Sequence, residues 1–253
     1  MRQVGVGNNE VKQTENMNIL IIGATSGIGK ALYENYVTCD NRLGIVGRRT
    51  HLLEELRQMH PDNTFVATAD ITKQDEIAQA IRELCRELGN IDLAIVCSGT
   101  GDINTSLDYN VERPTLDTNV TGWTFVADTL YRLFEQQGRG HLVAITSVGG
   151  LRGEPGAPAY SATKAYQINY MEALRKKAFK AGGSIVVTDV RPGLVDTAMA
   201  KGDGLFWVMP VEKVVRQICA AIRRRKSKVY VTKRWHILAV INKNLPFCLY
   251  KRM

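Results

Sequence analysis

The sequence predicts an α/β fold: a doubly wound parallel sheet of about seven strands with helices on both faces. Three observations carry that prediction. Seven short apolar, β-branched runs alternate with amphipathic helical patterns, the rhythm of successive βαβ units. The runs show no apolar–polar alternation, which marks strands covered on both faces. The first run passes directly into a glycine-rich turn and then a helical pattern. No Pro/Gly/Ser-rich linker or internal repeat divides the 253 residues, so one domain with ample length for a core is expected.

In chain order, strands are expected at 18–23, 42–47, 64–69, 92–97, 140–146, 184–190 and 228–232. Helical patterns lie between them near 27–37, 50–59, 73–88, 111–137, 160–181 and 210–225. Pro155 and Pro158 suit a helix beginning near residue 160. Arg223-Arg224-Arg225-Lys226 closes the 210–225 pattern, where cations complement the helix dipole. In a sheet of this kind ligands bind beyond the carboxyl ends of the strands.

Charge separates the chain into two parts. Residues 213–253 hold 12 Lys/Arg and no Asp or Glu, leaving 21 basic against 25 acidic side chains before them. A mildly acidic body argues against nucleic acid as a partner, and the basic tail needs its own explanation. Five cysteines, odd in number, widely spread and without C-x-x-C, point to reduced thiols in a cytoplasmic setting. Four scattered histidines form no cluster, so no metal site is expected. Residues 1–16 are polar and expected to be disordered, with no secretory pattern, and Met17 is a candidate start. No run approaches the roughly 20 apolar residues of a membrane span.

Two motifs carry chemistry. Gly23-Ala24-Thr25-Ser26-Gly27-Ile28-Gly29 follows the first strand. Glycines at 23, 27 and 29 allow backbone amides close to a phosphate, with a helix N-terminus behind them. Ala24 and Ala31 exclude a P-loop, and the spacing is not G-x-G-x-x-G. An ordinary strand-to-helix turn is the other reading. Tyr160-Ser161-Ala162-Thr163-Lys164 sets a phenol and an ammonium four apart on one helix face. A fixed cation lowers a phenol's pKa and would make Tyr160 a usable acid or base. A solvated helix face has the same spacing.

Together these motifs resemble the short-chain dehydrogenase/reductase family in its compact single-domain branch, over about residues 17–232. The resemblance implies a Rossmann-type fold and assigns roles position by position. Asn119, Ser147, Tyr160 and Lys164 match the catalytic set. Gly23, Thr25, Ser26, Gly27, Ile28 and Gly29 match the phosphate turn. Asp70, with Ile71, matches the adenine contact. Ser98 and Gly99 follow the fourth strand, and Pro192, Gly193, Val195 and Thr197 match the turn that holds the nicotinamide and phosphate. Tyr160 and Lys164 count among the cofactor contacts too. The implied reaction moves a hydride from the cofactor to a carbonyl carbon while Tyr160 gives the proton. Lys164 would lower the Tyr160 pKa and hold the nicotinamide ribose, Ser147 would bind the carbonyl oxygen, and Asn119 would hold a relaying water. The sequence departs from the family at Ile22, where Thr is usual, and at Val96-Cys97-Ser98-Gly99, where Asn-Asn-Ala-Gly is usual. Ser98 and Thr100 are candidates to replace the missing strand tie.

Gly47-Arg48-Arg49 ends the second strand where an NAD enzyme would place an acid. Guanidinium suits a 2′-phosphate, so NADP(H) is preferred over NAD(H), with Arg48 the main contact and Arg49 assisting. Two arginines on a solvated helix start are the alternative. Cys97, near the expected pocket, reads as a small packing residue. Residues 198–209, with Met199, Leu205, Phe206 and Trp207, read equally as an apolar lid hinged at Gly202 and Gly204 or as a core-covering loop. Residues 233–253 read as an interfacial segment for peripheral membrane contact or as a segment packed on its own domain or a partner. By resemblance the chain forms a homodimer or homotetramer and acts on a small carbonyl or alcohol. The competing readings are an NAD-linked alcohol dehydrogenase, a reductase of a lipid-linked or acyl-chain keto substrate at a membrane, and a non-catalytic NADP(H)-sensing protein.

Overall fold

The structure, a computed structural model, describes residues 16–199 and 207–251. The expected disorder of residues 1–16 falls almost wholly outside the described residues. Seven strands form one sheet: β1 (Asn18–Ile22), β2 (Arg42–Gly47), β3 (Thr64–Thr68), β4 (Leu93–Val96), β5 (Gly140–Ile145), β6 (Ile185–Pro192) and β7 (Lys228–Val231). Their order across the sheet is β3-β2-β1-β4-β5-β6-β7, and every neighbouring pair is parallel. The doubly wound parallel sheet therefore stands as the sequence predicts, with its topological switch between β1 and β4.

The helices are α1 (Gly27–Val37), α2 (Thr50–Met59), α3 (Gln74–Leu88), α4 (Tyr109–Leu116), α5 (Trp123–Gln137), α6 (Pro158–Lys180), α7 (Val211–Arg223), α8 (Lys233–Asn244) and α9 (Phe247–Tyr250). Side chains of β1 alternate between two cores, as a strand covered on both faces must. Leu20 and Ile22 join Ile77, Ile81, Trp123, Leu130, Phe134 and Met171 on one face. Ile19 and Ile21 join Leu32, Tyr33, Leu53, Val214 and Ile218 on the other.

The single helix expected over 111–137 is two helices joined by a π-helical turn, Asp117–Gly122. Pro114 lacks an amide for the ladder within α4. At Gly122 an added Cβ would lie 2.5 Å from the Ile71 carbonyl oxygen, so only glycine lets this turn rest against the backbone after β3.

Residues after β7 are helical and dock on the domain. Trp235 and Ala239 are buried, the Arg152 guanidinium donates to the Leu245 carbonyl at 2.7 Å, and the Tyr250 hydroxyl donates to the Gly153 carbonyl. Among the described residues no helix is long and apolar enough to cross a membrane.

Candidate active site

The predicted residues converge beyond the carboxyl ends of the strands. After β1, Gly23 and Gly27 take positive φ of 93° and 53°, which favours glycine. A Cβ on Gly29 would lie 2.0 Å from the Gly23 carbonyl oxygen, so the turn folds tightly onto the start of α1. Ser26 caps α1 without a side-chain bond to the helix backbone. Its hydroxyl and that of Thr25 accept instead from the Arg49 guanidinium at 2.8 and 2.7 Å. Two hydroxyls, a guanidinium and a helix N-terminus thus crowd one glycine turn, a donor set suited to phosphate. Thr197 packs across the same turn, its methyl 3.4 Å from where a Gly27 Cβ would stand.

The arginines part company. Arg48, expected as the main phosphate contact, pairs with Asp70 at 3.5 Å, while Arg49, expected to assist, lies at the glycine turn. Both arginines lie in the bend between β2 and α2, with Arg49 at the N-cap of α2. Burial pushes the Asp70 carboxyl up, but the Thr72 amide and hydroxyl and the Arg48 guanidinium outweigh it and hold the pKa below the usual carboxylate value. A cavity of about 320 Å³ beside this pair is lined also by Thr72, Asn110 and Arg113. The Ile71 side chain is buried in the core and its carbonyl lies against Gly122.

The other half of the site lies between β4, β5 and α6. Pro at the first position of α6 presets the helix, so that Tyr160 and Lys164 share a face, with Nζ 5.9 Å from the phenol ring centroid. Lys164 is buried; its ammonium donates to the Ile145 carbonyl at 3.2 Å and to Gln167 Oε1 at 2.9 Å. Burial lowers the Lys164 pKa to about 8, with Asp189 and Cys97 acting upward. Burial also raises the Tyr160 pKa, and the nearby Ser147 hydroxyl acts in the opposite direction. The ammonium expected to lower this pKa donates here to Ile145 and Gln167. A phenol held above its ordinary value keeps its proton at neutral pH and is poised as an acid.

Asn119 is fully buried in the π-helical turn. Its side chain accepts from the Thr100 amide at 2.9 Å and donates to the Thr100 carbonyl at 2.7 Å and to Thr163 Oγ1 at 3.1 Å. Those bonds join the β4 loop to α6. The Ser98 amide donates to the Ile22 carbonyl at 3.0 Å, so the tie left open by the missing asparagine is made by backbone. The carbonyl of Asn119 accepts from Gln167 Nε2 at 2.9 Å. Burial pushes the Cys97 thiol up to about 12, against the pull of Lys164, which fits a packing role over a reactive thiol.

Several contributors were not singled out from sequence. A Cβ on Gly101 would lie 2.3 Å from the Tyr160 ring, and one on Gly150 would lie 2.5 Å from the Lys164 carbonyl carbon. The pairs Gly99/Gly101 and Gly149/Gly150 were the available signal, since small residues recur where chain passes chain. Gln167, three after Lys164, was the other. At Gly193 a Cβ would fall 2.2 Å from the Trp235 ring, so this glycine makes room for α8. Pro192 ends β6, and Val195 forms a parallel bridge with Met209. Residues 200–206 of the expected lid, hinges included, lie outside the described residues. Trp207 stacks edge-on to Trp235, their centroids 6.5 Å apart. Among the described residues no group of three or more His, Cys, Asp or Glu could hold a metal ion.

The short chain dehydrogenase family model matches residues 17–204. An uncharacterised oxidoreductase of Mycobacterium tuberculosis is 33% identical over 223 residues, covering 84% of this chain and 87% of the relative. An uncharacterised oxidoreductase of Staphylococcus haemolyticus is 30% identical over 185 residues, 72% of this chain and 79% of its own. A short chain dehydrogenase from Burkholderia cenocepacia in complex with NADP superposes with a TM-score of 0.82 at 21% identity, covering 95% of this chain and 98% of the other. One from Burkholderia phymatum in complex with NAD gives 0.81 at 16% identity, covering 92% and 94%.

Proposed function

Because the chain belongs to the short-chain dehydrogenase family of oxidoreductases, we propose that it reduces a ketone or aldehyde to an alcohol with NADPH. The observation that carries this reading is the buried Lys164 ammonium one turn from Tyr160 on α6, its Nζ 5.9 Å from the phenol ring centroid, with the Ser147 hydroxyl and the Tyr160 ring both bordering Gly149. Bound NADPH supplies the hydride. The protein's part is to hold the carbonyl oxygen against Ser147 and Tyr160 and to deliver a proton from the Tyr160 hydroxyl as negative charge grows there. The Lys164 ammonium stabilises the phenolate left behind. Asn119 keeps the β4 loop and α6 in register, and Asp70 closes the adenine end.

Preference for NADP(H) rests on two arginines and no carboxylate at the end of β2, with the glycine turn at 23–29 shaped for the diphosphate. Arg49→Ala should weaken NADPH binding about tenfold, the worth of a charge-assisted hydrogen bond, and leave NADH nearly unchanged. Isothermal titration with both nucleotides measures it; equal losses for the two would remove the phosphate contact. Turnover is tested by NADPH oxidation across a panel of aldehydes and ketones. Absence of any rate above background in well-folded, NADPH-binding protein would favour the cofactor-sensing alternative. Assembly through α5 and α6 into a homodimer or homotetramer belongs to the same reading.

A second reading adds a lipid surface. Ile237, Val240, Ile241, Phe247 and Leu249 are exposed on α8 and α9, beside exposed Arg234, Lys243 and Lys251. Apolar residues ringed by cations suit an anionic interface, each cation adding about 1 kcal/mol. Co-sedimentation with phosphatidylserine vesicles should capture the protein, and Ile241→Glu/Phe247→Glu should abolish capture without changing turnover of a soluble carbonyl. Equal capture of both proteins would remove this face from consideration.

A further inference from the structure

Gln167 lies on α6 one turn beyond Lys164 and is fully buried. Both ends of its amide are committed: Nε2 donates to the Asn119 carbonyl at 2.9 Å, and Oε1 accepts from Lys164 Nζ at 2.9 Å. Only this orientation works, because a flipped amide would set NH₂ against the ammonium and oxygen against the carbonyl. The Asn119 carbonyl is within its reach for a local reason. In the π-helical turn the Trp123 amide donates to the Thr118 and Val120 carbonyls and passes over Asn119. Lys164 has three protons to give; two go to Ile145 and Gln167. The remaining side is held open by Gly99, where an added Cβ would lie 3.3 Å from both Nζ and Asn119 Oδ1.

We propose that Gln167 is a positioning residue for the reductase site, a non-ionisable strut that fastens the Lys164 ammonium to the Asn119 carbonyl. This rests on the reductase reading for its catalytic consequence and on geometry alone for the strut. A water between the same two groups could exchange or leave. A glutamine anchored by its own helix cannot, so the ammonium keeps one direction. The charged and titratable groups around Lys164 are Asp189 on β6, with Arg191 beside it, Cys97 after β4, and Tyr160 on its own helix. Gln167 adds a neutral acceptor, which favours the ammonium over the amine.

The experiment is a pH titration of lysine [6-13C] resonances in the full-length protein without cofactor, with Lys164 assigned through Lys164→Arg. Gln167→Leu removes the acceptor in a side chain of similar volume, and the Lys164 midpoint should move down from the wild-type value. Gln167→Glu restores an acceptor, and the midpoint should return to the wild-type value or above. In turnover assays, Gln167→Leu should lose about tenfold in kcat with little change in KM. The alkaline limb of its kcat profile should shift in step with the NMR midpoint. Where Gln167→Leu fails to fold, Gln167→Met takes its place. An identical Lys164 midpoint in all folded variants overturns the proposal. Midpoints that move as described in a protein without turnover would uphold the strut and dismiss the reductase reading, so the two failures are distinct.

Discussion

Tyr160→Phe should lower kcat for carbonyl reduction by about 10²- to 10⁴-fold, the usual worth of a positioned proton donor. The ring fits against Gly101 without its hydroxyl, since the close approach there is to ring carbons, so the fold and NADPH affinity should be unaffected. Steady-state NADPH oxidation beside a nucleotide-binding isotherm makes the comparison. A variant that keeps more than about a tenth of the wild-type rate would refute Tyr160 as the proton source. The pH dependence follows from the same geometry. Burial raises the Tyr160 pKa, so the phenol stays protonated through neutrality and is not the first group to be lost. Burial brings the Lys164 ammonium down to about 8, and its charge disappears as pH rises through that value. The wild-type reduction rate should be level below about 8 and fall above it.

Arg191→Ala should cost the fold about 3–5 kcal/mol, because it strands a buried carboxylate. Asp189 is fully buried on β6. It accepts from Thr146 Oγ1 at 2.6 Å and from Arg191 Nε at 2.7 Å, while Arg191 also reaches the Tyr230 hydroxyl at 2.9 Å. The Arg191 guanidinium is the one cation paired with this carboxylate among the described residues. Urea denaturation at neutral pH measures the loss. Removing both charges, in Asp189→Leu/Arg191→Met, should recover most of it, because desolvation of two ions is no longer required. A single variant as stable as wild type would mean that water reaches Asp189. Asp189 also acts upward on the Lys164 pKa, so Arg191→Ala should move the alkaline limb to higher pH.

Legibility followed the strength of local signals. β2, α1 and α2 occur at the residues expected for them, because glycine or a polar turn marks both ends. Ser147, Tyr160, Lys164 and Asn119 meet in one place, since strand ends and one helix face are topological facts that spacing can carry. The division of 111–137 was hidden because a π turn adds a single residue to a helical repeat, too small a phase change to see against a long apolar face. That Arg48 pairs with Asp70 while Arg49 reaches Thr25 and Ser26 was hidden because it depends on which neighbour each guanidinium finds. Asp189 and Arg191 gave no sign of pairing, as a charge two residues from another on a strand is ordinarily solvated. The room that Gly193 makes for Trp235 was not visible either, because the ring lies 42 positions away in the chain.

The place of β1 in the sheet sets a timetable for synthesis. Its partners are residues 42–46 on one edge and 93–96 on the other. As the chain leaves the ribosome, β1 has one side unpaired until about residue 96 has emerged. Its outer neighbours on that side, β5 to β7, come later still. Long-range parallel pairing of this kind is slow and leaves a sticky apolar ribbon exposed in the interval. Residues 18–22, Asn-Ile-Leu-Ile-Ile, are therefore an apolar segment that needs cover during biosynthesis until β4 arrives.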